Sequence, residues 1–156
     1  MKKLTIIVPV FNEINTLHII LDKLINMELF NKIQKEIIII DDASTDGSKE
    51  KILEYEKKYP FLITIYKTKN KGKGDSQKLA KDIFSGDYVI IQDADLEYDP
   101  ADINKLLEIA ENEKKDFVIG YRKMKTDLKH PYFYFREMDV NLLTLLMNIL
   151  YGTAIK

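Results

Sequence analysis

Two aspartates separated by one residue, Asp93 and Asp95, have the types and spacing most indicative of chemistry in this 156-residue sequence. They follow an apolar run, Tyr88 to Gln92, which is predicted to be a strand. Once the chain turns, carboxylates at positions i and i+2 can converge on one divalent cation, and such oxygen ligands suit Mg²⁺ or Mn²⁺. The alternative is a pair of solvated loop acids or a cap on the next helix. The pattern alone leaves both interpretations open.

A second acidic pair, Asp41 and Asp42, ends another apolar run, Glu36 to Ile40. Because adjacent carboxylates repel each other, a binding site there must hold at least one of them against a hydrogen-bond donor. A ribose hydroxyl or an N–H group of a nucleotide base would serve. The alternative is that Asp42 or Ser44 simply caps the helix predicted to begin near Ser48.

Two basic segments are candidate partners for phosphate groups. The loop Asn70 to Gly74 (NKGKG) precedes a predicted helix, and a glycine loop before a helix N-terminus favours anions. It lacks the GxxxxGK[ST] spacing, so a P-loop NTPase is not predicted, and its alternating lysines also fit an exposed face. Further along the chain, four basic side chains could bind substrate phosphates or anionic lipid headgroups, or could be ordinary surface charge. They are Arg122, Lys123, Lys125 and Lys129.

The composition argues against several other kinds of protein. With no cysteine and two histidines, the chain has no disulfide or cysteine nucleophile, and a zinc site is not expected. Its formal net charge of −1 gives no support for nucleic-acid binding, and its 46% apolar content suits one globular domain. The apolar run near the N-terminus is too short for a signal peptide or a membrane span, which predicts a cytoplasmic protein.

Alternating strand and helix patterns must position these candidate residues. The predicted strands are 4–10, 36–40, 62–66, 88–92 and 117–120, and the predicted helices are 13–29, 48–59, 75–84 and 101–112. This order predicts an α/β fold with a mostly parallel sheet and helices on both faces. Ligands of such sheets bind beyond the carboxyl ends of the strands. We therefore expect the turns 9–13, 41–44 and 93–97 to share one edge.

The last segment, 132–151, is aromatic at first and then leucine-rich. Its charged and polar residues make it a poor membrane span. It is predicted to be an amphipathic helix that packs on the sheet or lies on a membrane or a partner.

Five segments occur in an order that resembles the family 2 glycosyltransferases, which have the GT-A fold. They are IVPVFNE (7–13), IIIIDDASTDGS (37–48), NKGKG (70–74), GDYVIIQDADLEYDP (86–100) and FVIGYR (117–122). Within that family the likeness is to the dolichol- and polyprenyl-phosphate hexose synthases. It implies a Rossmann-like GT-A core over residues 1–130, with residues 131–156 beginning an acceptor- or membrane-proximal region.

The resemblance also implies an activity. The protein would be a metal-dependent, inverting hexosyltransferase with Mg²⁺ or Mn²⁺ as cofactor and a UDP- or GDP-hexose as donor. Its acceptor would be a polyprenyl phosphate or a growing glycan. A place on the inner face of the cytoplasmic membrane and a homodimer are further implications.

Individual roles follow from the same resemblance. Asp93 and Asp95 would form the DxD motif that holds the metal on the donor diphosphate, with Glu97 beside it. Arg122 matches an arginine that handles phosphate groups and joins the two aspartates as the catalytic set. The expected nucleotide-sugar contacts are Pro9, Phe11, Glu13, Ile40, Asp42, Lys71, Lys73, Asp93, Ala94 and Asp95.

The chain departs from the family pattern in places. The family shows GKGxA and GSR where this chain reads GKGDS and GYR, so Asp75 adds an acid beside the loop and Tyr121 replaces a small residue. Members also continue past the leucine-rich segment, which leaves part of the acceptor half unaccounted for. A non-catalytic sugar-nucleotide-binding or interaction module is therefore the alternative. A nucleotidyltransferase is disfavoured, because FNEINT (11–16) is not its glycine-rich basic signature.

Overall fold

A four-stranded parallel sheet is the centre of the computed structural model, which describes residues 1–120. The strands are β1 (Lys3–Val10), β2 (Gln34–Asp41), β3 (Ile63–Tyr66) and β4 (Tyr88–Ile91). The helices are α1 (Leu17–Asn26), α2 (Ser48–Lys58), α3 (Lys73–Lys81) and α4 (Asp102–Glu113), with a 3₁₀ turn at Phe30–Lys32. The strand order is β3-β2-β1-β4, so β1 and β2 are central.

The two central strands are buried on both faces, which explains their unbroken β-branched runs. Ile6 and Ile39 belong to a large apolar cluster on one face of the sheet, whereas Ile7 and Ile38 belong to a smaller cluster on the other. Ile7 lies opposite Ile38 of β2 and Ile91 of β4 in the parallel register. The predicted parallel α/β sheet is confirmed.

Helices cover both faces, as predicted. Leu21 of α1, Ile52 of α2 and Leu107 of α4 contribute to the large cluster. Ala80 of α3 packs in the smaller cluster, with Phe84 just beyond that helix. Helices α1, α2 and α4 therefore pack on one face of the sheet, and α3 packs on the other.

Lysine and aspartate side chains complete two of the helix ends. The Lys35 ammonium donates to the carbonyls of Leu24, Ile25 and Met27 where α1 ends, at 2.5, 2.8 and 2.8 Å. Burial lowers the pKa of Lys35. At the start of α2, Ser48 N–H donates to Asp46 Oδ1 at 2.9 Å.

The prediction of a fifth strand over residues 117–120 is wrong. These residues form no strand, and the side chains of Phe117 and Ile119 are 79% and 74% exposed. Phe117 and Val118 line a groove with Tyr88 and Leu107 but do not join the ladder of β4. A four-residue apolar run is weak support for a strand, because pairing depends on neighbours that propensity does not register.

Residues Met1–Ile119 form one compact unit. The predicted division at residue 130, the helix predicted over 132–151 and the basic residues Arg122, Lys123, Lys125 and Lys129 lie outside the described residues. Within residues 1–120, no helix is long and apolar enough to cross a membrane.

Candidate functional site

The carboxyl ends of β1, β2 and β4 border a cleft of about 210 Å³. The cleft brings together most of the predicted site residues, because parallel strands place their carboxyl ends on one edge. Its lining residues are Pro9, Val10, Phe11, Glu13, Asp42, Lys73, Ser76, Asp93, Ala94 and Asp95.

Three predicted residues do not line this cleft. Ile40 is fully buried in the apolar cluster beneath α3. Lys71 is exposed, and its backbone N–H reaches Asp42 at 3.0 Å. Glu97 is exposed, and its backbone N–H donates to Asp95 Oδ1 at 2.9 Å. Arg122, the remaining predicted site residue, lies outside the described residues.

Asp42 organises the glycine loop. Its Oδ1 accepts from the Lys71 N–H at 3.0 Å and its Oδ2 from the Gly72 N–H at 2.7 Å. The Lys67 ammonium lies 2.5 Å from Oδ1 of the same carboxylate. The alternative that Asp42 or Ser44 caps α2 is wrong, because Asp46 accepts the Ser48 N–H there.

Lys67 joins Asp42 to a second acid, Asp75, which lies 2.8 Å away in the first turn of α3. The Lys67 and Asp42 side chains are only 7% and 4% exposed. Burial opposes ionisation of Asp42, but Lys67 and the two loop N–H groups outweigh it and lower its pKa. Burial likewise disfavours the Lys67 ammonium, but the two carboxylates raise its pKa. Both groups are therefore charged near neutral pH.

Lys73, the first residue of α3, reaches across the cleft to the acidic pair. Its ammonium lies 2.5 Å from Oδ1 and 2.7 Å from Oδ2 of Asp93. The contact links the glycine loop to the turn after β4. Between Asp95 and Glu97, Leu96 has a positive φ of 64°, which is uncommon for a non-glycine residue and typical of functional turns.

A hydrogen-bonded junction between the turns after β1 and β2 holds Phe11 and Glu13 at the cleft. Asn12 N–H donates to Ser44 Oγ at 3.0 Å, and Asn12 Oδ1 accepts the Thr45 N–H at 2.8 Å. Glu13 N–H donates to Ser48 Oγ at 2.8 Å. Asn12 has a positive φ of 57°, which asparagine tolerates better than most residues.

Sequence reasoning missed the positioning roles of Asn12, Lys67 and Ser48. The alternation of Lys67, Lys69, Lys71 and Lys73 offered an exposed face as an alternative, and for the buried Lys67 that alternative is wrong. The available signal was its place directly after β3, at the functional edge of the sheet. A lysine that follows a strand beside two acidic turns is a candidate ion-pair partner.

Two carboxylates at the end of β4 could contribute ligands to a divalent cation. Within residues 1–120, no three histidine or acidic side chains lie close enough together to hold a metal by themselves. Asp93 and Asp95 both line the cleft and supply two carboxylates. A Mg²⁺ or Mn²⁺ ion bound through one or two carboxylates takes its other ligands from phosphates and water.

A family model described as glycosyl transferase family 2 matches residues 5–153. Among curated relatives, a dolichol-phosphate mannosyltransferase from Pyrococcus furiosus is 32% identical over 136 residues, or 87% of this chain. The chain spans only 38% of that relative.

Two solved structures are similar to this chain in fold. One is a mannosyltransferase from Pyrobaculum calidifontis in complex with GDP-Man and Mn²⁺, with a TM-score of 0.60 and 26% identity. The match covers 70% of this chain and 32% of the mannosyltransferase chain. S. aureus TarS (residues 1–349), in complex with UDP-GlcNAc, has a TM-score of 0.63 and 22% identity. This match covers 82% of this chain and 38% of the TarS chain. At this identity, it supports the fold alone.

Proposed function

The chain belongs to glycosyl transferase family 2, and we propose that it carries the donor-binding half of an inverting hexosyltransferase that uses a nucleotide-diphosphate sugar. The observation that supports this most directly is the cleft in which the acidic turn after β4 faces the Asp42-bound glycine loop. A nucleotide sugar needs a cation for its anionic diphosphate, which the acidic turn could hold. It also needs a hydrogen-bond acceptor for its nucleoside, which Asp42 could supply.

Asp42 is suited to the nucleoside. An ionised carboxylate has about four lone-pair positions. Lys67, Lys71 N–H and Gly72 N–H account for three contacts. We assign the remaining position to a ribose hydroxyl or a base N–H, with Pro9, Phe11 and Glu13 forming the neighbouring wall.

Asp93 and Asp95 are suited to hold Mg²⁺ or Mn²⁺ against the diphosphate. When bound, such an ion supplies Lewis-acid neutralisation of the negative charge that develops on the leaving nucleoside diphosphate. Ala94, between them in the sequence, also lines the cleft and is buried in the large apolar cluster. Glu97 and Arg122 remain predictions as further metal-site and phosphate contacts.

The acceptor we favour is a polyprenyl phosphate, because the Pyrococcus furiosus relative is a dolichol-phosphate mannosyltransferase. A phosphate oxygen is already anionic and attacks the anomeric carbon opposite the departing diphosphate without a strong general base. A sugar hydroxyl would need a carboxylate base. Contact with the inner membrane surface and a homodimer are part of the same proposal.

Titration calorimetry with GDP, UDP and their hexose derivatives, with and without Mn²⁺, tests the donor site. We expect one nucleotide series to bind only with Mn²⁺, and Asp95→Asn to weaken that binding at least tenfold, a difference of about 1.4 kcal/mol. Asp102→Asn, at the exposed start of α4, is the matched control and should bind as the wild type does. Undiminished metal-dependent binding by Asp95→Asn would refute the metal assignment.

Turnover separates the enzyme from the non-catalytic module. Slow donor hydrolysis, or transfer to a polyprenyl phosphate, supports the transferase. Tight metal-dependent nucleotide binding with neither reaction would favour the binding module instead.

A further inference from the structure

The Lys73 ammonium is paired with the carboxylate of Asp93, which the proposed function assigns to the metal. It contacts both oxygens of Asp93, at 2.5 and 2.7 Å. A divalent cation bound at about 2.1 Å from either oxygen would lie within a few ångströms of that ammonium. Two cations so close repel strongly in a partly buried site, and Asp93 is only 20% exposed. In this geometry the ammonium and a metal ion would compete for the Asp93 carboxylate.

Lys73 is free to move away from Asp93. Its side chain is 51% exposed, and it extends from the first residue of α3 on a flexible four-carbon stem. By contrast, Lys67 is buried between Asp42 and Asp75 and is committed to both. Of the described residues that line the cleft, Lys73 is the one with a positive charge.

We propose that Lys73 exchanges partners during donor binding. It neutralises Asp93 before the metal arrives, and it pairs with the donor diphosphate once the metal has taken Asp93. The N-terminus of α3, where Lys73 lies, also favours the incoming anion. This inference rests on the proposed function, because it presupposes a metal-bound diphosphate in the cleft.

The exchange has two consequences of opposite sign. Lys73 weakens the binding of metal alone, because the ion must first displace the ammonium. It strengthens the binding of a nucleoside diphosphate in the presence of metal, because the displaced ammonium gains a new anionic partner. Metal and nucleotide then favour each other's binding by the same factor.

The variant Lys73→Met removes the charge and keeps much of the apolar stem. We expect it to bind Mn²⁺ alone about threefold more tightly than the wild type, the scale of a partly exposed ion pair. We expect it to bind GDP or UDP at saturating Mn²⁺ about tenfold more weakly. Lys78→Met, an exposed lysine near the end of the same helix, is the matched control and should change neither affinity.

Mn²⁺ binding is measured by electron paramagnetic resonance of the free ion and nucleotide binding by calorimetry, on the whole 156-residue chain. Circular dichroism confirms that each variant is folded. If Lys73→Met weakens both affinities or leaves Mn²⁺ affinity unchanged, the exchange is refuted while the proposed function stands. If the wild-type chain binds neither Mn²⁺ nor any nucleotide, both are refuted.

Discussion

Lys67 is the side chain that connects the end of β2 with the start of α3. It is buried between Asp42, at the end of one element, and Asp75, in the first turn of the other. Asp42 in turn receives the N–H groups of Lys71 and Gly72. The departure from the family pattern at Asp75 thus has a structural explanation, since this acid is the second partner of a buried ammonium.

Replacing Lys67 with methionine should destabilise the fold. The change leaves Asp42 ionised and buried with two N–H donors but no counter-charge, and breaking a buried pair in this way costs about 3 kcal/mol. Lys69→Met, at an exposed position two residues away, should stay within about 0.5 kcal/mol of the wild type. Urea unfolding at neutral pH measures both values.

The pH dependence of that effect identifies its cause. The pKa of Asp42 is lowered in the folded protein, so its contribution is present above the unfolded pKa of about 3.9 and is lost as the pH falls through the folded value. The pKa of Lys67 is raised, so its contribution is present below about 10.4 and is lost as the pH rises through the folded value. The gap between wild type and Lys67→Met should therefore shrink below about pH 4. A gap that stays constant would indicate lost packing rather than a lost ion pair.

At the scale of elements, the turn before β4 is pressed against β1. Gly86 N–H donates to Thr5 Oγ1 at 3.0 Å. A Cβ atom at Gly86 would lie 2.5 Å from that oxygen and 2.7 Å from the Thr5 backbone nitrogen. The entry of β4, and with it the position of Asp93 at the far end of the strand, depends on this close approach.

Two glycine-to-alanine changes test this packing against helix propensity. Gly86→Ala should destabilise the fold by about 2 kcal/mol, because backbone atoms must shift to admit the methyl group. Gly74→Ala, inside the first turn of α3 with nothing within 4 Å of the new atom, should stabilise it by about 0.5 kcal/mol. Urea denaturation measures both changes. Equal stability of Gly86→Ala and the wild type would show that the turn has room.

At the scale of the whole molecule, the parallel sheet collects in one cleft residues that are far apart in the chain. Asp42 and Gly72 are 30 positions apart, and Lys73 and Asp93 are 20 apart. Their contacts hold only while the sheet is assembled. Donor binding should therefore be linked to global stability.

Nucleotide and metal together should raise the melting temperature. At a ligand concentration of about 100 Kd, binding to the folded state alone adds about 2.7 kcal/mol. For a domain of this size, that corresponds to a rise of several degrees. Thermal melts by far-UV circular dichroism, with GDP or UDP and Mn²⁺ separately and combined, measure it. The combined shift should exceed the sum of the separate ones in the wild type and disappear in Asp95→Asn; a purely additive shift would contradict the shared site.

The sequence by itself determined the local elements and the edge on which chemistry is placed. Apolar periodicity located all four strands and all four helices of the described residues to within a few residues, because burial on one or both faces leaves a regular pattern. It predicted too long a helix for α1, because residues 14–16 form a turn before the helix and residues 27–29 lie beyond its end. The motif residues Asp42, Asp93 and Asp95 were identified as chemical candidates because they follow predicted strands, at the edge of a parallel sheet where ligands bind.

Only the tertiary structure decided which side chains meet. It showed that Asp42 is bound by a loop 30 residues away, that Lys67 is buried and that Ile40 faces the core beneath α3 rather than the cleft. It also showed that residues 117–120 do not pair with β4. Periodicity is a local property and reports burial, whereas ion pairs and strand ladders depend on partners brought together by the whole fold.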